Sequence, residues 1–243
     1  MLTVADGDGE KAQRLADELV ADVWNARKLL DRHFYTPQEA IALALRAQQW
    51  PAVLADVADN PGSGSTTDSV LLLRHLLDAG VEDAALAVLY DPQVVEQARQ
   101  AGEGAVIETE LGGKLAPEIT GGPLRCTALV QKLTDGCYRN RDTMNQGVAM
   151  CLGNCALLKI GGVQVIVCSR HTQPYDLEVY RHCGIQPETR KLLVVKSAAH
   201  FRASFGTMAK AIYDVETPAL GPMRPRMLPL SHSRRPIYPL DDL

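Results

Sequence analysis

The hydrophobic positions change their period twice along the chain. Between positions 10 and 30, Ala12, Leu15, Ala16, Leu19, Val20 and Val23 recur at helical spacing and predict an amphipathic helix. Before it, 2–5 reads as the tail of a strand and Asp6-Gly-Asp-Gly as a turn. Pro37 suits the first turn of a second helix over 37–48. From Ala52 the pattern becomes short apolar runs alternating with helical stretches. Strands are predicted over 52–57, 84–90 and 105–111, with helices over 69–79 and 91–100 between them. Thr67 or Asp68 stands where the first of these helices needs a cap, and Gly102 where the second needs a stop. This order predicts a sheet that is parallel in this stretch.

After Gly113 the helical period is lost. Strand-like runs over 125–133, 154–160 and 163–168 follow one another, and Gly161-Gly162 between the last two is a two-residue hairpin signal. The middle of the chain is therefore expected to be antiparallel. A further strand is predicted over 191–196, then a helix over 198–210 capped by Ser197. The tail from Thr217 holds six of the fourteen prolines, which rules out a helix or a central strand there. The expected class is α/β with a mixed sheet: parallel β-α-β units in the first half, antiparallel strands in the middle, helices packed on the sheet. Residues 1–36 read as a strand-helix junction, 37–216 as the α/β domain and 217–243 as an extended tail packed on it.

Composition narrows the classes of function. Of 243 residues, 46% are hydrophobic and 22% charged, the mix of a chain that buries a core. A net charge of −4 gives no reason to expect nucleic acid. No apolar run approaches the ~18 residues of a membrane span. The opening MLTVADGDGE lacks the charged and apolar regions of a secretory signal. Six cysteines in a chain of this length then read as buried free thiols in a reducing cytoplasm. The oligomeric state stays open, a homo-oligomer included.

Three segments could carry chemistry. The loop Asp59-Asn-Pro-Gly-Ser-Gly-Ser-Thr-Thr-Asp68 follows a buried strand and opens a helix, at the sheet edge where α/β proteins bind ligands. Its amides would suit an anion or a developing oxyanion; the competing reading is a connection rich in helix-capping residues. It lacks the Gly-Lys-Ser/Thr of a phosphate-binding loop. The second segment, Ser169–Asp176, carries Arg170, which could clamp a carboxylate, or is simply a polar loop. In the third, Lys196 and Ser197 could form a hydrolytic base and nucleophile, although Ser197 serves equally as a helix cap. Cys151 and Cys155 are spaced CxxxC, Cys126, Cys137, Cys168 and Cys183 are scattered, the six histidines are dispersed, and no HExxH helix occurs. Any metal site would need ligands from distant parts of the chain or from another chain.

Taken together, long stretches resemble the C-terminal domain of the microcystinase C (MlrC)-like zinc metallopeptidases. ADVADNPGSGSTTDS is similar to that family's glycine-rich signature. The likeness continues through DPQVVEQARQAGEGAVIETELGGK, VIVCSRHTQPYD, GIQPETRKLLVVKSAAHFRASF and RRPIYPLDD, and covers the opening ADGDGEKAQRLADELVADVW. Departures are Ser63 where glycine is usual, Thr66-Thr67, and His171 where arginine is common. The resemblance implies hydrolysis of peptide or amide bonds in small peptides by a metal-activated water, with zinc in the complete protein. It also implies that the metal ligands come from an N-terminal domain, absent here and supplied in cis or in trans, so no metal ligand is assigned in this chain.

Placement at strand ends then selects the substrate-binding candidates. Asp59 and Asn60, with the backbone of Gly62, Ser63, Gly64 and Ser65, would contact substrate. Arg170, Gln173, Lys196, His200 and Arg202 would line or brace the cleft. The alternative is a non-catalytic module descended from the same family, binding a small anion or a partner. A third reading is a self-sufficient Ser-Lys amidase using Ser197 and Lys196.

Overall fold

The computed structural model describes residues 1–228 and 230–243. Contacts divide the chain into Met1–Phe34 and Tyr35–Leu243. In the first unit, helix α1 (Gly9–Ala26) starts at Asp8, whose side chain accepts from Lys11 N, and tightens into a 3-10 turn at Arg27–Leu30. Residues 2–5 form no strand, because no partner supplies a ladder. The helix buries none of its residues, and Leu15, Leu19, Val20 and Val23 are all partly exposed.

The second unit opens with α2 (Pro37–Ala47), started by a reciprocal capping box between Thr36 and Glu39. Strand β1 (Ala52–Asp56), α3 (Leu71–Asp78), β2 (Ala84–Tyr90), α4 (Pro92–Ala101) and β3 (Val106–Leu111) follow. After the short α5 (Pro117–Thr120) come β4 (Leu124–Thr134), β5 (Cys137–Arg139), β6 (Ala149–Cys151), β7 (Cys155–Ile160) and β8 (Val163–Cys168). Short α6 (Glu178–Arg181), β9 (Leu192–Val195), α7 (Arg202–Phe205) and β10 (Ala211–Val215) complete the domain.

Eight strands form one mixed sheet in the order β10-β1-β9-β2-β8-β7-β4-β3, and β5 and β6 make a separate hairpin. Strands β10, β1, β9, β2 and β8 run parallel; β7, β4 and β3 are each antiparallel to their neighbour. The mixed α/β sheet is thus as the sequence implied, and the Gly161-Gly162 turn joins β7 to β8 with Ile160 opposite Val163. The order differs from a simple sequential winding: β9 sits between β1 and β2, and β3 runs antiparallel at the far edge.

Strand periodicity places Leu54, Leu86, Val165 and Val194 on one face, in a core with Ala40, Ile41, Leu72, Leu73, Leu76, Val94 and Val95 from α2, α3 and α4. The alternate residues Val53, Ala85, Ile166, Leu193 and Val195 are equally buried on the other face. The four adjacent strands β1, β9, β2 and β8 are buried on both sides, which explains their near-continuous apolar runs.

Two predicted features are corrected, and one strand lies outside those predicted. The stretch 198–210 holds only the one turn of α7, because Phe201 and Phe205 anchor it and Gly206 follows. The strand β10 lies beyond it, hidden in the sequence behind the predicted helix. Neither Thr67 nor Asp68 caps α3: Thr67 has φ of 60°, Asp68 Oδ2 accepts from Lys114 N and Leu115 N, and Ser69 Oγ accepts from Leu71 N instead.

Candidate functional site

Because β1, β9, β2 and β8 are parallel, the segments that follow them emerge on one edge of the sheet. Asp56 ends β1 and Lys196 follows β9, the neighbouring strand, so a carboxylate and an ammonium from distant sequence are brought side by side. Lys196 Nζ lies 2.7 Å from Asp59 Oδ2, 2.8 Å from Ser69 O and 3.4 Å from Asp56 Oδ2. All three ionisable groups are fully buried. Burial alone would push the Lys196 ammonium down, but the carboxylates of Asp59 and Asp56 outweigh it and hold the value above normal. Burial raises Asp59, and the charge and hydrogen bond of Lys196 with the donors of the loop reverse this, leaving it low. Asp56 remains high, since burial and the charge of Asp59 exceed what Lys196 supplies.

The loop folds around the Asp59 carboxylate. Oδ1 accepts from Thr67 N at 2.7 Å, Ser65 Oγ at 3.0 Å and Thr66 Oγ1 at 3.3 Å, and Oδ2 accepts from Ser69 N at 2.9 Å. Asp59 is therefore engaged inside the protein and is not presented to a ligand. The same holds for the amides of the bend. Gly62 N donates to Asn60 Oδ1, Ser63 N and Ser65 N to Asn60 O, and Gly64 N to Pro61 O. The expectation that the Gly62–Ser65 amides face an anion or oxyanion is corrected: they turn inward, because Asn60 and Pro61 offer acceptors at shorter range. That also removes the motive for a small-anion module. Lys196, charged and held by three acceptors, is no base for Ser197, whose side chain is buried, so the Ser-Lys amidase falls as well.

Above Asp59 and Lys196 lies a small polar cluster that opens to solvent through Gln173 and His200, beside the exposed tip Gly62, Ser63 and Gly64. Gln173, from the segment after β8, donates through Nε2 to Asn60 Oδ1 and to Ser197 Oγ, both at 3.3 Å. His200 Nδ1 lies 3.2 Å from Gln173 Oε1. With Oε1 as acceptor, Nδ1 of this exposed imidazole is the donor. Gly62 is needed for closeness: a Cβ there would meet Gln173 Cδ at 2.7 Å. Gly221 of the proline-rich tail approaches the loop in the same way, since its Cβ would meet Ser63 Oγ at 2.8 Å.

Asn60, Gly62, Gln173 and His200 are thus brought together, with Ser197 joining them, while Asp59 and Lys196 lie beneath as braces. Ser63 Oγ donates back to Asn60 O, and Ser65 belongs to the Asp59 shell. Arg170 and Arg202 lie outside the cluster. Arg170 extends over Gly153, whose Cβ would meet its Cγ at 3.0 Å. Arg202 pairs with Asp214 of β10 at 2.6 Å. Sequence reasoning missed Asp56, though a carboxylate closing an apolar strand is a signal for a buried partner. A cavity of about 800 Å³, lined among others by Gln93, Gln97, Lys114 and Arg125, opens elsewhere, between α4 and the β3–β4 ribbon.

The described residues do not fit a metal. Among the described residues no group of three or more His, Cys, Asp or Glu side chains is placed to hold one, and the two buried carboxylates share Lys196. Among the described residues, too, no helix is long and apolar enough to cross a membrane.

Comparison with known proteins adds to this geometry. The family model for the MlrC C-terminus matches residues 54–234. Microcystinase C of a Sphingomonas species is 29% identical over 202 residues, covering 83% of this chain and 38% of that protein. The crystal structure of the "Putative metallopeptidase" from Mesorhizobium sp. BNC1 superposes with a TM-score of 0.82 at 27% identity, over 96% of this chain and 46% of the other. The chain thus spans less than half the length of either.

Proposed function

The chain belongs to the MlrC C-terminus family, and on that footing we propose that it builds one wall of the substrate cleft in a hydrolase of peptide or amide bonds in small peptides. The observation that carries this reading is the Asn60–Gln173–Ser197–His200 cluster, held at the sheet edge beside an exposed glycine tip. Carboxamides and an imidazole at such an edge can orient a peptide by hydrogen bonds to its carbonyl and N–H groups. The braces beneath keep the acceptors in place: Asp59 closes the loop, and Lys196 ties that loop to β9. Zinc, the metal of the proposed complete protein, would be held by polypeptide beyond this chain, in cis or in trans, which would supply the activated water. The residues of this chain bind and orient, and Arg170 extends the wall toward Gly153.

The test restores the rest of the protein, either fused or added as a second polypeptide, and follows hydrolysis of a short linear peptide. Asn60→Ala and Gln173→Ala should each lower kcat/KM by about tenfold, the loss of one well-placed hydrogen bond. The isolated chain should show no turnover. Unchanged kcat and KM in both variants would take these residues out of the cleft.

A further inference from the structure

Cys137 and Cys151 face each other across the small β5–β6 hairpin, with their sulfurs 2.8 Å apart. Leu152 N donates to Gly136 O, and Asn140 N to Val148 O. These bonds make 136–152 and 140–148 the hydrogen-bonded pairs, so Cys137 and Cys151 occupy a non-hydrogen-bonded position, where side chains on opposite strands come closest. Both thiols are free and exposed. The base of the hairpin is pinned by Gly136, at φ of 67°, where a Cβ would meet Gly153 O at 2.0 Å. The expectation of six buried thiols therefore fails for this pair, and Cys126 is half-buried. Cys155 and Cys168 provide an internal contrast. They too are register partners, but both are buried, and burial pushes both thiols up.

We propose that Cys137 and Cys151 form a redox-active dithiol that peroxide closes, reversibly, into an intramolecular disulfide. Cys151, which accepts the hydrogen bond of the Cys137 thiol, is the attacking sulfur. The hydrogen bond from the Cys137 thiol, then the Gly153 backbone and the charge of Arg170, favour its thiolate. Cys137, the donor of that bond, is pushed up to about 11 and keeps its proton. The Cys151 thiolate attacks one oxygen of hydrogen peroxide, the O–O bond breaks, and hydroxide leaves, giving a sulfenic acid. The Cys137 sulfur attacks that sulfur, the S–S bond forms, and hydroxide leaves with the Cys137 proton as water. Two thiols lose two electrons and two protons, and one peroxide becomes two waters once the first hydroxide is protonated. A dithiol reductant reverses the closure by exchange.

The test uses the whole chain, fully reduced, treated with hydrogen peroxide and digested under non-reducing conditions. The expected result is loss of two hydrogen atoms from the intact mass, one peptide linking Cys137 to Cys151, and full reversal by dithiothreitol. In Cys137→Ser the Cys151 sulfenic acid should persist and be trapped by a cyclic diketone. Cys151→Ser should consume peroxide at least about tenfold more slowly, having lost the favoured thiolate. A link to another cysteine, a link between two molecules, or six free thiols under conditions that oxidise a small free thiol would overturn the proposal. The wild-type digest decides this without reference to how the variants fold, and it does not depend on any peptidase reading.

Discussion

Lys196 and Asp59 stand 137 positions apart in sequence and 2.7 Å apart in space, both fully buried. Their pair ties the loop after β1 to the end of β9, the two segments that carry Asn60 and Ser197 of the polar cluster above. A buried ion pair is weak evidence for net stability by itself, but removing one partner strands the other without water. Lys196→Met would leave two carboxylates unpaired. The expected loss is about 3–5 kcal/mol of unfolding free energy, read from urea denaturation. A loss under about 1 kcal/mol would mean that the loop is held by its backbone bonds alone.

The same group sets a pH window. Asp59 has a depressed value in the folded chain, so its contribution is complete above its ordinary 3.8 and is lost as pH falls through the depressed value. Lys196 is raised, so its contribution is complete below its ordinary 10.5 and is lost as pH rises through the folded value. Asp56 has the opposite sign to Asp59: being raised, it lowers stability above its folded value. Chemical denaturation across pH should show falling stability at both extremes, and Lys196→Met should flatten the alkaline limb. An unchanged alkaline limb in that variant would assign the loss to other groups.

Two glycines separate a contact that can yield from one that cannot. At Gly62 an added Cβ meets only the end of the flexible Gln173 side chain. Gly62→Ala should cost less than about 1 kcal/mol but displace Gln173 from Asn60, Ser197 and His200, visible as a shift of its side-chain amide resonances. At Gly136, φ is positive and the obstacle is the backbone oxygen of Gly153 at 2.0 Å. Gly136→Ala should cost more than about 2 kcal/mol in the same denaturation assay. Equal costs at the two sites would contradict this distinction.

Asp91 should be a stabilising residue outside the candidate site. It caps α4 through Val94 N, accepts from Gly112 N at 2.9 Å, and takes a hydrogen bond from Lys114 Nζ at 3.0 Å. Asp91→Ala should lower stability by about 1–3 kcal/mol, from a lost cap and an orphaned buried amide. Thermal unfolding of this variant beside Lys114→Ala would separate the cap from the ion pair, and equal losses would show that the cap contributes nothing.

Much of the fold was legible in local pattern. Residues 163–168 were read as a strand with the bounds that β8 has, Gly161-Gly162 was read as the turn before it, and α4 follows its predicted stop at Gly102. The hairpin of β5 and β6 was not legible, since three residues per strand give too short an alternation to stand out. For the site, the position of segment 59–68 after β1, at the edge of the sheet, is legible in the sequence, but the direction of its amides is not. Asn60 and Asp59 capture those amides, and a glycine-rich string looks the same whether its N–H groups face a ligand or its own side chains.

The sequence by itself determined the periods, the turns and the class of the sheet, because these depend on residues within a few positions of one another. Only the tertiary structure decided that β9 enters between β1 and β2, that Asp56 and Asp59 share Lys196, and that Gln173 reaches Asn60. Those relations join segments more than a hundred positions apart. They are selected by burial on both faces of the sheet and by the need of each buried charge for a partner; the local pattern marks which residues must be buried, but not which distant segment each one meets.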